Sequence, residues 1–110
     1  MRQYLIDEIP KKEMEKVRDY LEARTLSTGL KEIFWLELPR DLLSPFQWEH
    51  QACGPHYLAI ETGKDFIKFE FLVRGQNKFR CECINYTTAE QETYLLRFAH
   101  TLIEALHLKT

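Results

Sequence analysis

Five side chains of the kinds that bind soft metal ions or act as nucleophiles fall between residues 50 and 83: His50, Cys53, His56, Cys81 and Cys83. Imidazole and thiolate are the ligands zinc prefers. His50 and Cys53 are three residues apart, so on a helix they share a face. His56 stands at the start of the next element. This His-x2-Cys-x2-His cluster reads as a candidate zinc or iron site, with Cys81 or Cys83 as a candidate fourth ligand.

The same residues suggest a Cys/His enzyme, with Cys53 as nucleophile and His50 or His56 as base. A reactive cysteine usually sits at a helix N-terminus, where the thiolate is favoured. Cys53 is expected at the opposite end, where the helix field disfavours it. The chain has no G-x-S-x-G, P-loop, G-x-G-x-x-G or H-E-x-x-H motif. Only 4 of its 110 residues are glycine, so a phosphate-cradling loop has little to be built from. Cys81 and Cys83, at i and i+2 on a strand, would have Cα atoms ~6.5–7 Å apart, the upper edge of disulfide geometry. His100 and His107 read as surface residues of the last helix, with His107 in its final turn.

The elements that must position these groups have clear punctuation. Residues 3–7 alternate weakly and suit a short strand. Pro10 suits a first helical position. Met14, Val17 and Leu21 then follow at helical spacing. Residues 31–38 read as a strand apolar on both faces, Ile33 and Trp35 on one and Phe34 and Leu36 on the other, which implies cover on both sides. Ser44, Pro45 and Gln47 form a capping box that opens a short helix, and Gly54 fits a left-handed residue behind it. Three strands are expected at 56–62, 66–73 and 78–86. Thr87 and Glu90 form a second capping box, opening a long helix with Leu95, Ala99, Leu102, Ile103 and Leu106 on its buried stripe.

Register bears on the chemistry. A two-residue turn at Gly63-Lys64 pairs Ile60 with Ile67 and Leu58 with Phe69, all facing inward. The favoured second hairpin sets Glu70 opposite Arg80 and Lys68 opposite Glu82. Cys81 then lies beside Phe69 and Leu58, and Cys83 beside Ile67 and Ile60, as small hydrophobes. On that register the Cys81 strand is two places from the His56 strand, ~10 Å away, which opposes a shared site.

Large side chains without an expected core position point elsewhere. Trp35, Tyr57, Tyr86, Tyr94 and Phe98 are aromatic, a type enriched in interface cores. An antiparallel sheet with helices on one face leaves the other open, and Tyr57 and Tyr86 would flank it.

Composition bounds the rest. Hydrophobic residues make up 45% of the chain and charged residues 29%. Residues 1–110 on that composition suit one globular domain. The net charge of -2 is interleaved rather than patched, which opposes nucleic-acid binding. No apolar run approaches the ~20 residues of a membrane span. The start lacks signal-peptide character, so a cytoplasmic, reducing setting with thiols rather than disulfides is expected.

The expected fold is α+β: an antiparallel sheet of three to five strands, N- and C-terminal helices on one face, and a short capped helix between strands. The function expected first is a non-catalytic protein-interaction or self-association module, a homodimer or a binder of protein partners, without cofactor. The alternative is a zinc- or iron-binding domain, and the third reading is the small Cys/His enzyme.

Overall fold

Two helices bury apolar stripes against one sheet face, and this determines the architecture. The computed structural model describes residues 1–77, 81 and 83–110. Its elements are β1 (Gln3–Ile6), α1 (Lys11–Arg24), β2 (Leu26–Ser27), β3 (Ile33–Glu37), α2 (Pro45–Glu49), β4 (His56–Thr62), β5 (Ile67–Gly75), β6 (Asn85–Tyr86) and α3 (Ala89–Leu106). The sheet is antiparallel in every pairing and runs β1-β5-β4-β3-β2. The two-residue β6 also pairs with β5, beside the stretch beyond β1.

The expected α+β class is present, with a five-strand path and one long helix near each end. α1 buries Met14, Val17, Tyr20 and Leu21, and α3 buries Gln91, Leu95, Ala99 and Leu102. They close on Phe34, Leu36, Leu58, Ile60, Ile67 and Phe69 of the sheet. Each large apolar side chain removed from water in this way contributes about 1.5–3 kcal/mol. Pro10 is the N-cap of α1 rather than its first helical residue. Arg18 joins α1 to the sheet through a two-pronged contact with Glu32, at 2.9 and 3.1 Å, and a 2.8 Å bond to Gly63 O. Both partners are about one-third exposed. Solvent screening therefore limits this pair to at most about 1 kcal/mol.

Among the described residues of this chain, β3 is covered on one side only. Phe34 and Leu36 are buried, whereas Ile33 and Trp35 are half-buried on the other face. There the Trp35 ring stacks on Tyr57 with centroids 4.4 Å apart, so each ring shields its neighbour in place of a second layer.

The β4–β5 register differs from the expected one by two residues. Ile60 pairs with Phe69, and Thr62 with Ile67. The connection is the four-residue 63–66 loop, closed by the Gly63 N–H bonding to Phe66 O at 3.0 Å. The Phe66 ring lies over Gly63, in the space a Cβ would need, so the aromatic side chain favours the longer turn. A slip of two preserves the faces, which is why the core residues remain inward. A bulge then sets Leu58 opposite Val73.

The expected third strand at 78–86 is corrected more deeply. Among the described residues of that stretch only Asn85–Tyr86 is strand, and Cys81, Cys83 and Ile84 belong to a turn closed by the Ile84 N–H bonding to Cys81 O at 3.0 Å. Residues 78–80 and 82, with the expected Arg80 and Glu82 pairings, lie outside the described residues. β1 occupies the edge of β5 instead, setting Tyr4 beside Phe69 and Ile6 beside Ile67. Lys68 bonds to Glu61 at 3.4 Å and Glu70 accepts from Arg74 at 3.3 Å. Cys81 and Cys83 are therefore not beside Phe69 and Ile67.

The second capping box is one residue later than expected. Thr88 caps α3 and Gln91 is its partner, because the Thr87 N–H is used by Phe71 O at 2.8 Å. The helix ends at Leu106, and His107 is its left-handed C-cap rather than part of its last turn. The Ser44–Gln47 box stands as expected.

Candidate metal centre

Cys53 owes its position to a chain of short turns. α2 stops at Glu49, and a single 3-10 turn at Gln51–Cys53 follows. The Cys53 N–H bonds to His50 O at 2.9 Å. Gly54, expected in the left-handed region, is extended (φ -77°), and a cis bond joins it to Pro55. The chain thus enters β4 at His56 without the usual helix-ending glycine.

Cys53 is then held against the far end of β5. Its carbonyl accepts from the Asn77 N–H at 3.1 Å, and Asn77 Nδ2 donates to Gly54 O at 2.6 Å. A Cβ built on Gly75 would stand 2.6 Å from the Cys53 oxygen and 3.4 Å from its Cβ. Gly75 is required here by close approach, since backbone cannot yield as a flexible side chain can. Gly75→Ala is expected to cost about 1–3 kcal/mol in urea unfolding and to displace Cys53. A loss below about 0.5 kcal/mol, the range of an ordinary surface substitution, would show that the contact is not tight.

From the other side, Cys81 and Cys83 come to the same place. The Cys83 carbonyl accepts from Gln47 Nε2 of α2 at 3.3 Å. The result is three sulfurs, from segments 28 residues apart, whose Sγ atoms all lie within 4.8 Å of one another. Cys53 and Cys83 are buried and Cys81 is half-buried. The three are not joined by a disulfide.

The sulfurs have distinct roles. Cys53 Sγ donates to Cys81 Sγ at 3.2 Å, and the Cys83 N–H points at the same sulfur at 3.5 Å. Hydrogen bonds from the Cys83 thiol and N–H, then from the Cys53 thiol, hold Cys81 down at about 7, with the charge of His50 adding to them. Burial, then the hydrogen bonds given to its neighbours, push Cys83 up to about 12. Of the two, Cys81 is the thiol whose ionised form the protein donors favour.

The sequence-predicted residues divide. Cys53 belongs to the group. His50 and His56 are close to it in the chain, but their nitrogens are not within the 4.8 Å set among the described residues. His50 Nδ1 lies 2.7 Å from Phe46 O, and its ring stacks on Phe46. His56 is buried, 3% exposed, and its Nε2 has no hydrogen-bond partner among the described residues. Burial, then the charge of His50, lowers its pKa below the usual 6.5. A strand at 78–86 would set Cys81 and Cys83 apart from Cys53, beside Phe69 and Ile67. Their Cys-x-Cys spacing was the available signal, and a turn rather than a strand realises it.

The aromatic residues are placed as follows. Trp35 and Tyr57 stack on the open face, and Arg2 covers Tyr86 with its guanidinium 4.0 Å from the ring centroid. Tyr94 and Phe98 pack against the core, Phe98 edge-on to Tyr20. No helix among the described residues is long and apolar enough to cross a membrane.

Compared with known proteins, the chain matches no family model, no curated protein and no solved structure. The functional reading therefore rests on the sulfur group itself.

Proposed function

We propose that this chain is a metal-binding domain that holds one thiophilic ion, zinc or iron, between Cys53, Cys81 and Cys83. The observation that carries the reading is the convergence of three sulfurs, from two separate chain segments, within 4.8 Å. With Zn–S bonds of ~2.3 Å, the sulfurs of a tetrahedral zinc site stand roughly 3.8 Å apart. The triangle is already near that size, so little rearrangement is needed. Cys81, held at about 7, is the ligand that loses its proton first. The ion supplies the charge that draws off the other two protons. The bond such an ion makes would tie Cys81 and Cys83 to the turn that follows α2, a structural role. A reducing, cytoplasmic setting suits thiols kept available for metal.

The test is the metal content of untagged protein, purified with neither metal nor chelator and measured by elemental mass spectrometry. About one equivalent of zinc or iron per chain is expected. Folded protein that contains no metal and takes up none when titrated with zinc would overturn the reading.

A second reading, favoured by the stacked Trp35–Tyr57 pair beside exposed Leu30 and Leu26, is self-association or protein binding through the open sheet face. It is compatible with a structural ion. A sedimentation mass that stays monomeric at every concentration would remove the homodimer form of it.

A further inference from the structure

We infer that His56 is the fourth ligand of this centre, bound through Nε2, so that the closed set is three cysteines and one histidine. The inference rests on the metal-binding reading and says what completes the coordination. Three thiolates leave a tetrahedral ion one position short, and structural zinc sites are closed by a fourth protein ligand.

His56 is unusual for a buried polar group. It is 3% exposed, and Nε2 has neither accessible surface nor a hydrogen-bond partner among the described residues. Buried polar atoms are nearly always satisfied, so an orphaned one calls for a reason such as an ion. The neighbouring cleft of about 370 Å³, bordered by Glu37, Arg40, Gln51 and His56, does not supply one, since Nε2 is sealed from solvent.

Its place in the sheet sets it beside Cys53. His56 pairs with Gly75 across β4 and β5. Side chains of paired residues lie on one face with Cβ atoms about 4.5–5.5 Å apart. The side-chain position of Gly75 is filled by Cys53, whose carbonyl oxygen lies 2.6 Å and whose Cβ lies 3.4 Å from where a Gly75 Cβ would be. Cys53 therefore occupies the cross-strand neighbour position of His56. Two residues separate them in the chain, a Cys-x2-His spacing. Nε2 stands outside the 4.8 Å sulfur group, so binding draws the ring towards the ion. His50 is the weaker claimant, because it is only half-buried and its Nδ1 and ring are engaged with Phe46.

The experiment uses the full chain, stripped of metal and titrated with cobalt(II), whose visible bands report coordination number and sulfur count. Wild type is expected to show a tetrahedral three-sulfur, one-nitrogen spectrum. His56→Cys should keep four-coordination and shift the bands to a four-sulfur pattern. His56→Gln should weaken cobalt and zinc binding at least about 100-fold, beyond what losing an outer partner does. A wild-type spectrum and affinity retained in His56→Gln, or lost in His50→Gln instead, would overturn the assignment while leaving the metal site intact. Wild type that takes up neither ion defeats the metal-binding reading itself. Should the variants unfold, nitrogen-15 NMR of the wild-type histidines decides: zinc must move the His56 Nε2 resonance, and a shift confined to His50 refutes the inference.

Discussion

Replacing Cys83 with alanine is expected to take bound metal from about one equivalent per chain to near zero, and to abolish the response of stability to chelator. Cys83 is 1% exposed and contributes one of the three converging sulfurs. Two effects must be separated by size. As a small buried hydrophobe, the thiol contributes about 1–2 kcal/mol. As a ligand it belongs to a site whose binding energy is coupled to folding, and structural zinc sites in peptides are worth about 10–16 kcal/mol. Loss of one ligand forfeits a large part of that. Chelated wild type and Cys83→Ala should therefore converge in urea unfolding, differing by no more than the packing value of the thiol. Metal-loaded wild type should stand well above both. If the sulfurs are only a packed cluster, chelator leaves wild type unchanged and the variant shows that same small packing loss in every condition. Competitive titration with a colorimetric zinc chelator gives the affinity directly.

The local signals in the sequence were strong where one residue type does one job. Ser44, Pro45 and Gln47 punctuate α2 because each satisfies or omits a particular backbone N–H. Met14, Val17 and Leu21 mark the buried face of α1 by spacing alone. Where the structure departs from expectation, a second solution is locally equivalent and tertiary contacts choose between the two. Thr87/Glu90 and Thr88/Gln91 both satisfy the capping pattern, and the pairing of Thr87 with Phe71 decides for the second. The β4–β5 turn could have two residues or four without moving any core side chain to the wrong face, and Phe66 over Gly63 selects four. The weak alternation of residues 3–7 gave little hint that β1 would take the edge of β5. That misplacement carried the chemistry with it. A strand over 78–86 on that edge would make Cys81 and Cys83 core residues, so their meeting with Cys53 is hidden by a strand register rather than by any ambiguity in the ligands themselves. The histidines were legible as ligand types, but burial and the orphaned Nε2 that distinguish His56 from His50 are three-dimensional facts.

Gln91→Leu is expected to destabilise the chain by about 2–4 kcal/mol in urea unfolding, although the position is fully buried and leucine is the more hydrophobic residue. Gln91 connects two capping boxes. Its Oε1 accepts from the Thr88 N–H at 2.9 Å, closing the box of α3. Its Nε2 donates to Leu42 O at 2.8 Å and to Gln47 Oε1 at 2.9 Å, and Gln47 Oε1 also accepts from the Ser44 N–H. Leucine fills similar space but leaves Thr88 N–H and Leu42 O unpaired, each costing about 1–3 kcal/mol, against which roughly 1 kcal/mol of added apolar burial is a partial offset. Gln91→Glu separates capping from donation. Its carboxylate can still accept from Thr88, but it faces two acceptors, Leu42 O and Gln47 Oε1, and its pKa must rise above the ordinary ~4.3 of glutamate. A raised acid favours the native state only when protonated. The penalty should therefore be small below about pH 4.3 and grow as pH rises through the elevated native value. Equal loss at pH 4 and pH 8 would refute that account of the network. The same variants should also weaken zinc binding, because Gln47, whose Oε1 they leave short of a donor, donates through Nε2 to Cys83 O at 3.3 Å. The two helix caps and the 81–83 turn thus form one hydrogen-bonded network, and the caps help to hold that turn against Cys53.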